Sequence, residues 1–126
     1  MIVGVGIDLV AIDRVRGLVE RHGERGRRRL FAEGELKDCD GRIDPAECLA
    51  ARFAAKEAAL KALGTGKRPG LRWTEIEVVE GEGGRPDLAL SGGVRARAER
   101  LGVTRVWVSL THEGGVAGAI VVMESG

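Results

Sequence analysis

Aromatic side chains are scarce. The 126-residue chain has no tyrosine and four aromatics in all, Phe31, Phe53, Trp73 and Trp107, so its core must be aliphatic. Histidine and cysteine are as sparse. His22, His112, Cys39 and Cys48 are the whole set, and their spacing makes no zinc pattern. Two unpatterned cysteines, nine apart, fit a reducing cytoplasm. Asp8 interrupts the apolar N-terminal run, which also lacks a basic flank, so that run reads as neither signal peptide nor membrane span. Net charge is only +1, which argues against a general nucleic-acid binder. The length leaves room for one domain, 1–126, burying about two-thirds of its unfolded surface. A small core and twenty glycines point to self-association as part of its stability.

Charge is unevenly placed. Arg14–Arg29 holds seven arginines against two glutamates, and Glu33–Glu47 holds six acids against Lys37 and Arg42. The basic stretch suits an acidic partner; a solvated helix face explains it equally well.

Periodicity predicts the elements. Val3, Val5, Ile7 and Leu9 alternate with Gly4, Gly6, Asp8 and Val10, a strand with one greasy and one nearly bare face. The glycines permit close approach by another backbone or a ligand. Asp13 caps a helix over about 14–22 ended by Gly23, with Val15, Leu18, Val19 and His22 on its apolar side. A short helix follows at 33–40. Asp44-Pro45-Ala46-Glu47 reads as N-cap acid, first-position proline and capping-box glutamate. It starts a long helix to residue 63, stopped by Gly64, with Leu49, Phe53, Leu60 and Leu63 as its buried stripe. Lys56 falls on that stripe, so its stem is buried and its head paired. Strands are expected at 75–80 and 87–91 around a hairpin loop, a helix at 92–101, and strands at 105–111 and 116–123. The β-α-α-α-β-β-α-β-β order with paired hairpins predicts an α+β fold, an antiparallel sheet with a long central helix.

Several residues could carry chemistry. Glu57 and Lys61 share a helix face with Ala50, Ala54 and Ala58, which leaves room for a ligand beside two charges. Asp8 and Glu57, from separate elements, can hold one Mg²⁺ whose shell substrate phosphates would complete. The plainer readings are a turn acid at Asp8 and an intrahelical Glu57–Lys61 pair. Gly64-Thr65-Gly66-Lys67 looks like a phosphate-loop fragment, but it sits at the wrong helix end and lacks the full pattern; it also reads simply as a helix stop. His112, at a strand end, is a surface residue or a phosphate- or proton-handling imidazole. Ser109 has no nucleophile context.

Four segments in order, Gly6-Ile7-Asp8-Leu9-Val10, Arg52-Phe53-Ala54-Ala55-Lys56-Glu57-Ala58, Lys61-Ala62-Leu63-Gly64-Thr65-Gly66 and Ser109-Leu110-Thr111-His112-Glu113, resemble the holo-[acyl-carrier-protein] synthases, the small bacterial class of 4′-phosphopantetheinyl transferases. The resemblance spans nearly the whole chain. It implies that fold, and Mg²⁺-dependent transfer of phosphopantetheine from coenzyme A to a serine of apo-acyl carrier protein, releasing adenosine 3′,5′-bisphosphate. It also implies a homotrimer with sites at subunit interfaces. By resemblance Asp8 and Glu57 match the metal ligands and Lys61 the phosphate-contacting lysine. Arg52, Gly64, Thr65, Gly66, Arg85, Pro86, Thr111 and His112 match the coenzyme A pocket. Arg14, Arg21 and Arg25 match the surface that docks the acidic carrier. Glu57 is the first choice of base for the serine, Lys61 the second. Two positions depart. Ala11 stands where many relatives have glutamate, which removes a charge near the docking helix. Val10 stands where larger relatives have a second acid, so it supplies no ligand. The rival readings are a Mg²⁺-dependent nucleotide phosphohydrolase and a non-catalytic module that binds an acidic protein.

Overall fold

The computed structural model describes residues 1–126. Its elements are β1 (Ile2–Ala11), α1 (Ile12–Leu30), α2 (Glu33–Asp40), α3 (Pro45–Ala62), β2 (Ile76–Glu80), β3 (Pro86–Leu90), α4 (Gly92–Arg100), β4 (Val103–Glu113) and β5 (Val116–Ser125). The α+β order is the expected one. The five antiparallel strands divide into a three-stranded sheet, β1-β5-β4, and a separate β2-β3 pair.

The alternation in β1 becomes two very different surfaces. In register, Gly4, Gly6, Asp8 and Val10 stand beside Met123, Val121, Ala119 and Ala117 of β5. This inner face packs on α3. A side chain on Gly6 would put its Cβ 1.8 Å from the Ala58 carbonyl oxygen, and one on Gly4 would sit 1.9 Å from that of Ala62. The close approach permitted by the glycines is therefore made by another backbone. Alanines on the helix side complete the fit: Ala50, Ala54, Ala55, Ala58 and Ala59 are fully buried. The α3 helix is buried on most sides, and Leu49, Phe53, Leu60 and Leu63 lie in the core as predicted. The greasy face of β1 points outward, with Val5, Ile7 and Leu9 exposed beside Ile120 and Trp107.

Lys56 is fully buried and paired, as its place on the stripe requires. Its ammonium donates to Glu35 Oε1 at 2.6 Å, to the Trp73 carbonyl at 3.1 Å and to the Ile76 carbonyl. Glu35 in turn accepts from the amides of Ala32 and Val78, each at 3.0 Å. Burial pushes the Lys56 pKa down and Glu35 opposes it. One ion pair thus ties α2 and α3 to the start of β2.

Local signals at the helix ends were overridden by tertiary contacts. Asp13 does not cap α1, which begins at Ile12 with Ala11 as its N-cap. Gly23, at φ 59° and ψ −151°, interrupts the helix where the sequence placed its end, and a second helical stretch, not foreseen, continues α1 to Leu30. Asp44 makes no side-chain cap on α3; Arg16 takes its carboxylate through both guanidinium nitrogens, at 3.2 and 3.3 Å, and holds it below the usual carboxylate range. Glu47 forms no capping box and faces His112 at 3.5 Å. Cys39 and Cys48 are joined in a disulfide that staples α2 to α3, so the cysteines give no support to a reducing compartment.

Candidate functional site

The site is built where β1 crosses α3. Asp8 lies on the inner face of its strand, and its side chain is about one-tenth exposed. The helix turns Glu57 and Lys61 toward the same place. Lys61 does not pair with Glu57. Its ammonium donates to Asp8 Oδ1 and to the Ile7 carbonyl, both at 3.0 Å. That discards the intrahelical pair as an account of these residues and joins helix to strand.

Two carboxyls therefore meet beside one ammonium. The Glu57 carboxyl is pushed up to about 7, first by burial and then by the hydrogen bond and the charge of Asp8; Arg14 and Lys61 pull it the other way. With both acids ionised, Asp8 Oδ2 is buried and has no hydrogen-bond partner. Burial disfavours the Glu57 charge most, and a hydrogen bond to Asp8 adds to it, so the acid keeps its proton longer than an ordinary glutamic acid. An orphaned, buried carboxylate oxygen next to a second acid is a place that lacks positive charge. Hard oxygen donors of this type suit Mg²⁺, but two acids are fewer than a cage needs, and no cluster of three or more His, Cys, Asp or Glu forms anywhere in the chain. Val10 is buried in the core and adds nothing to the donor set.

The other residues singled out from the sequence lie around this centre at some remove. Gly64 and Gly66, both at positive φ, turn the chain back over the end of α3. The Gly64 amide donates to the Lys61 carbonyl at 3.0 Å, and those of Thr65 and Gly66 to the Leu60 carbonyl at 3.2 and 3.4 Å. The Thr65 hydroxyl donates to the Gly66 carbonyl at 2.9 Å. These amides close a helix and form no phosphate cradle. Arg52, Pro86 and His112 line a different cleft of about 840 Å³, with Glu47 and Cys48. Arg52 is held there by the Cys48 sulfur at 3.1 Å, with Asp38 at 3.9 Å. Arg85 lies over the Trp107 ring at 5.4 Å, and so does Arg105 at 4.8 Å. Thr111 is exposed on the outer sheet face, across β5 from Leu9. One copy of the chain thus brings together Asp8, Glu57 and Lys61, gathers Arg52, Pro86 and His112 in a second cleft, and leaves Arg85, Thr111 and the Gly64–Gly66 turn outside that cleft. Arg21 and Arg25 are exposed on α1. Arg14, read as a docking residue, stands close enough to Glu57 to lower its pKa. Glu47 was missed as a possible site residue. Its spacing of seven from Ala54 and fourteen from Lys61 puts it on their side of the helix, and that signal was available.

Comparison with known proteins bears on the whole chain and its fold. A family model described as the 4′-phosphopantetheinyl transferase superfamily matches residues 4–121. A holo-[acyl-carrier-protein] synthase from Anaeromyxobacter dehalogenans is 49% identical over 98% of this chain and 97% of its own. The crystal structure of the synthase from Neisseria meningitidis superposes with a TM-score of 0.89 at 33% identity, covering 99% of this chain and all of that one. The Bacillus anthracis synthase, solved in complex with CoA (3′,5′-ADP), gives 0.79 at 34% identity over 100% of this chain and 99% of that one. The chain belongs to the 4′-phosphopantetheinyl transferase superfamily, as one of its holo-[acyl-carrier-protein] synthases.

Proposed function

We propose that this single-domain enzyme moves the 4′-phosphopantetheine group of coenzyme A to a serine of an apo-acyl carrier protein, with Mg²⁺, and releases adenosine 3′,5′-bisphosphate. The meeting of Asp8, Glu57 and Lys61 carries the reading. The serine oxygen attacks the phosphorus that joins the pantetheine arm to the nucleotide. Its proton passes to Glu57, the carboxylate that α3 holds at this centre. The phosphorus–oxygen bond to the nucleotide breaks, and adenosine 3′,5′-bisphosphate leaves with the electron pair. Lys61 supplies positive charge beside the phosphates. Mg²⁺ held by Asp8 and Glu57 would neutralise the diphosphate and the charge growing on the leaving phosphate. The exposed arginines Arg21 and Arg25 fit an acidic carrier.

We also propose that three copies assemble through the outer face of the β1-β5-β4 sheet. Ile7, Leu9 and Val5 are 62%, 69% and 54% exposed there, an apolar surface that isolated soluble domains rarely present. Assembly would also unite the coenzyme A residues that one copy leaves apart. Native mass spectrometry is expected to show three times the 13.4 kDa chain and, for the doubly substituted Ile7→Glu/Leu9→Glu chain, single copies without transferase activity. A monomeric native chain that is fully active would end this part of the reading. No helix is long and apolar enough to cross a membrane. Coenzyme A is too highly charged to cross a bilayer unaided, so the reading places enzyme and substrate together in the cytoplasm.

The deciding assay mixes enzyme, Mg²⁺, coenzyme A and an apo-carrier, and weighs the carrier. A gain of one arm, about 340 Da for a phosphodiester-linked group, is expected. Nucleotide turnover without an acceptor would point to a phosphohydrolase. No turnover and no mass gain with several carriers would leave only a binding module.

A further inference from the structure

The arginines of α1 do not form one straight row. The bend at Gly23 separates Arg14 and Arg21 from Arg25, Arg28 and Arg29, and turns the second group toward another part of the chain. Arg28 and Arg29 share a groove of about 510 Å³ with Lys67, Pro69, Gly70, Leu71, Arg72, Trp73 and Thr74, and no acid lines it. The same two arginines also border a hollow with Leu18, Leu30, His22 and Arg25. The two depressions are one surface with Arg28 and Arg29 as the ridge between them.

The charges on this surface are largely uncommitted. Arg27 is bound to Glu24 and Asp40, and Arg28 shares Glu24. The ion pairs of the chain leave Arg25, Arg29, Lys67, Arg68 and Arg72 without a carboxylate partner. Lys67 lies 5.8 Å over the Trp73 ring, and Arg68 donates to the Thr65 carbonyl at 3.1 Å, which holds the 65–68 turn in shape. Leu18, Leu30 and Leu71 provide apolar ground between the cations. The second wall starts at Lys67, immediately after the Lys61–Gly66 segment that leaves the reaction centre. The groove is thus joined through this segment to the centre at which the proposed carrier presents its serine.

We infer that the groove between the second half of α1 and residues 67–74 is the outer half of the carrier-docking surface, with Arg29, Lys67 and Arg72 receiving acidic side chains of the carrier. This rests on the proposed transfer reaction and extends its partner surface to a second element, beyond Arg14, Arg21 and Arg25. The occupant is an acidic helical protein segment because cations from two elements flank apolar ground at Leu71, Trp73 and, across the ridge, Leu18 and Leu30, a surface that an amphipathic acidic helix complements.

Steady-state kinetics on the doubly reversed Arg29→Glu/Arg72→Glu enzyme tests this, with the native enzyme, Mg²⁺, coenzyme A and one apo-carrier. All three cations, Arg29, Lys67 and Arg72, are exposed, so the fold tolerates the change, and an unchanged thermal midpoint checks it. The expected result is a KM for the carrier raised by roughly tenfold or more at low salt, with a flattened dependence of kcat/KM on ionic strength. The KM for coenzyme A and the kcat at saturating carrier stay as they were. Arg29→Lys/Arg72→Lys, which keeps the charges, restores the carrier KM to within about threefold. A carrier KM and salt dependence like the native enzyme's overturn the inference. So does a rise confined to the KM for coenzyme A, which would assign the groove to the nucleotide instead. Failure of the native enzyme to modify any carrier is a different result and condemns the transferase reading itself.

Discussion

Replacing Glu57 by glutamine is expected to lower kcat by about a hundredfold or more while leaving coenzyme A affinity within about threefold. Glutamine keeps the shape of the side chain and its place on α3. It loses the basicity that takes the serine proton and the full charge that would hold a cation with Asp8. Saturating Mg²⁺ should offset the weakened cation binding but not restore turnover, since it does not replace the missing base. The same carboxyl sets a pH signature. In the metal-free chain its pKa stands at about 7, raised above that of an ordinary glutamic acid, so below that value the group is largely protonated and must release its proton to serve as a ligand. Mg²⁺ affinity should therefore weaken as pH falls through 7. Calorimetry in buffers of different ionisation enthalpy should register proton release at pH 6, little at pH 8, and none in the glutamine variant. Native turnover by that variant, or binding without proton release at pH 6, would remove Glu57 from its role.

Changing Lys56 to methionine should be severely destabilising. The pair with Glu35 is fully buried on both sides. Methionine fills most of the space but strands the Glu35 charge and two backbone carbonyls that the ammonium had served. Leaving one member of a buried pair alone costs about 3–5 kcal/mol, a large part of the roughly 5–15 kcal/mol that holds a domain together. Urea unfolding at fixed protein concentration measures it. Adding Glu35→Gln should recover part of the loss, because the amide keeps its oxygen for the Ala32 or Val78 amide and carries no charge. A single-variant loss under about 1 kcal/mol would show that water reaches Glu35 in the folded chain.

Much of this could be read from residue order alone. Alternation in 2–11 fixed which β1 side chains share a face, and the spacing of Glu57, Lys61 and the alanines fixed the face of α3. Those are local periodicities, and the geometry of strand and helix turns them directly into position. The failures share a different cause. Asp44 reads as a cap because short-range rules see only its neighbours, whereas Arg16, twenty-eight residues away, offers it a better partner. Gly23 does stop the first helical stretch, but the chain beyond it finds a place against residues 73–75 and starts a second one that its immediate neighbours do not announce. Lys61 has an acid four residues back and takes one from a strand fifty-three residues away, since strand and helix are already in contact there. The Cys39–Cys48 bond carries no pattern at all. Arg52 and His112 meet in one cleft from a helix and a strand sixty residues apart, a meeting that no short-range pattern announces.

Bare backbone at Gly4 and Gly6 has one more implication. The strand bearing Asp8 and the helix bearing Glu57 touch main chain to main chain, with carbonyl oxygens where side-chain carbons would otherwise stand. The gap between the two acids is thus set by the stiffest parts of the molecule and does not depend on rotamers. A methyl group added at either glycine would wedge these plates apart and detune the reaction centre from behind, without altering a single atom that substrate can reach.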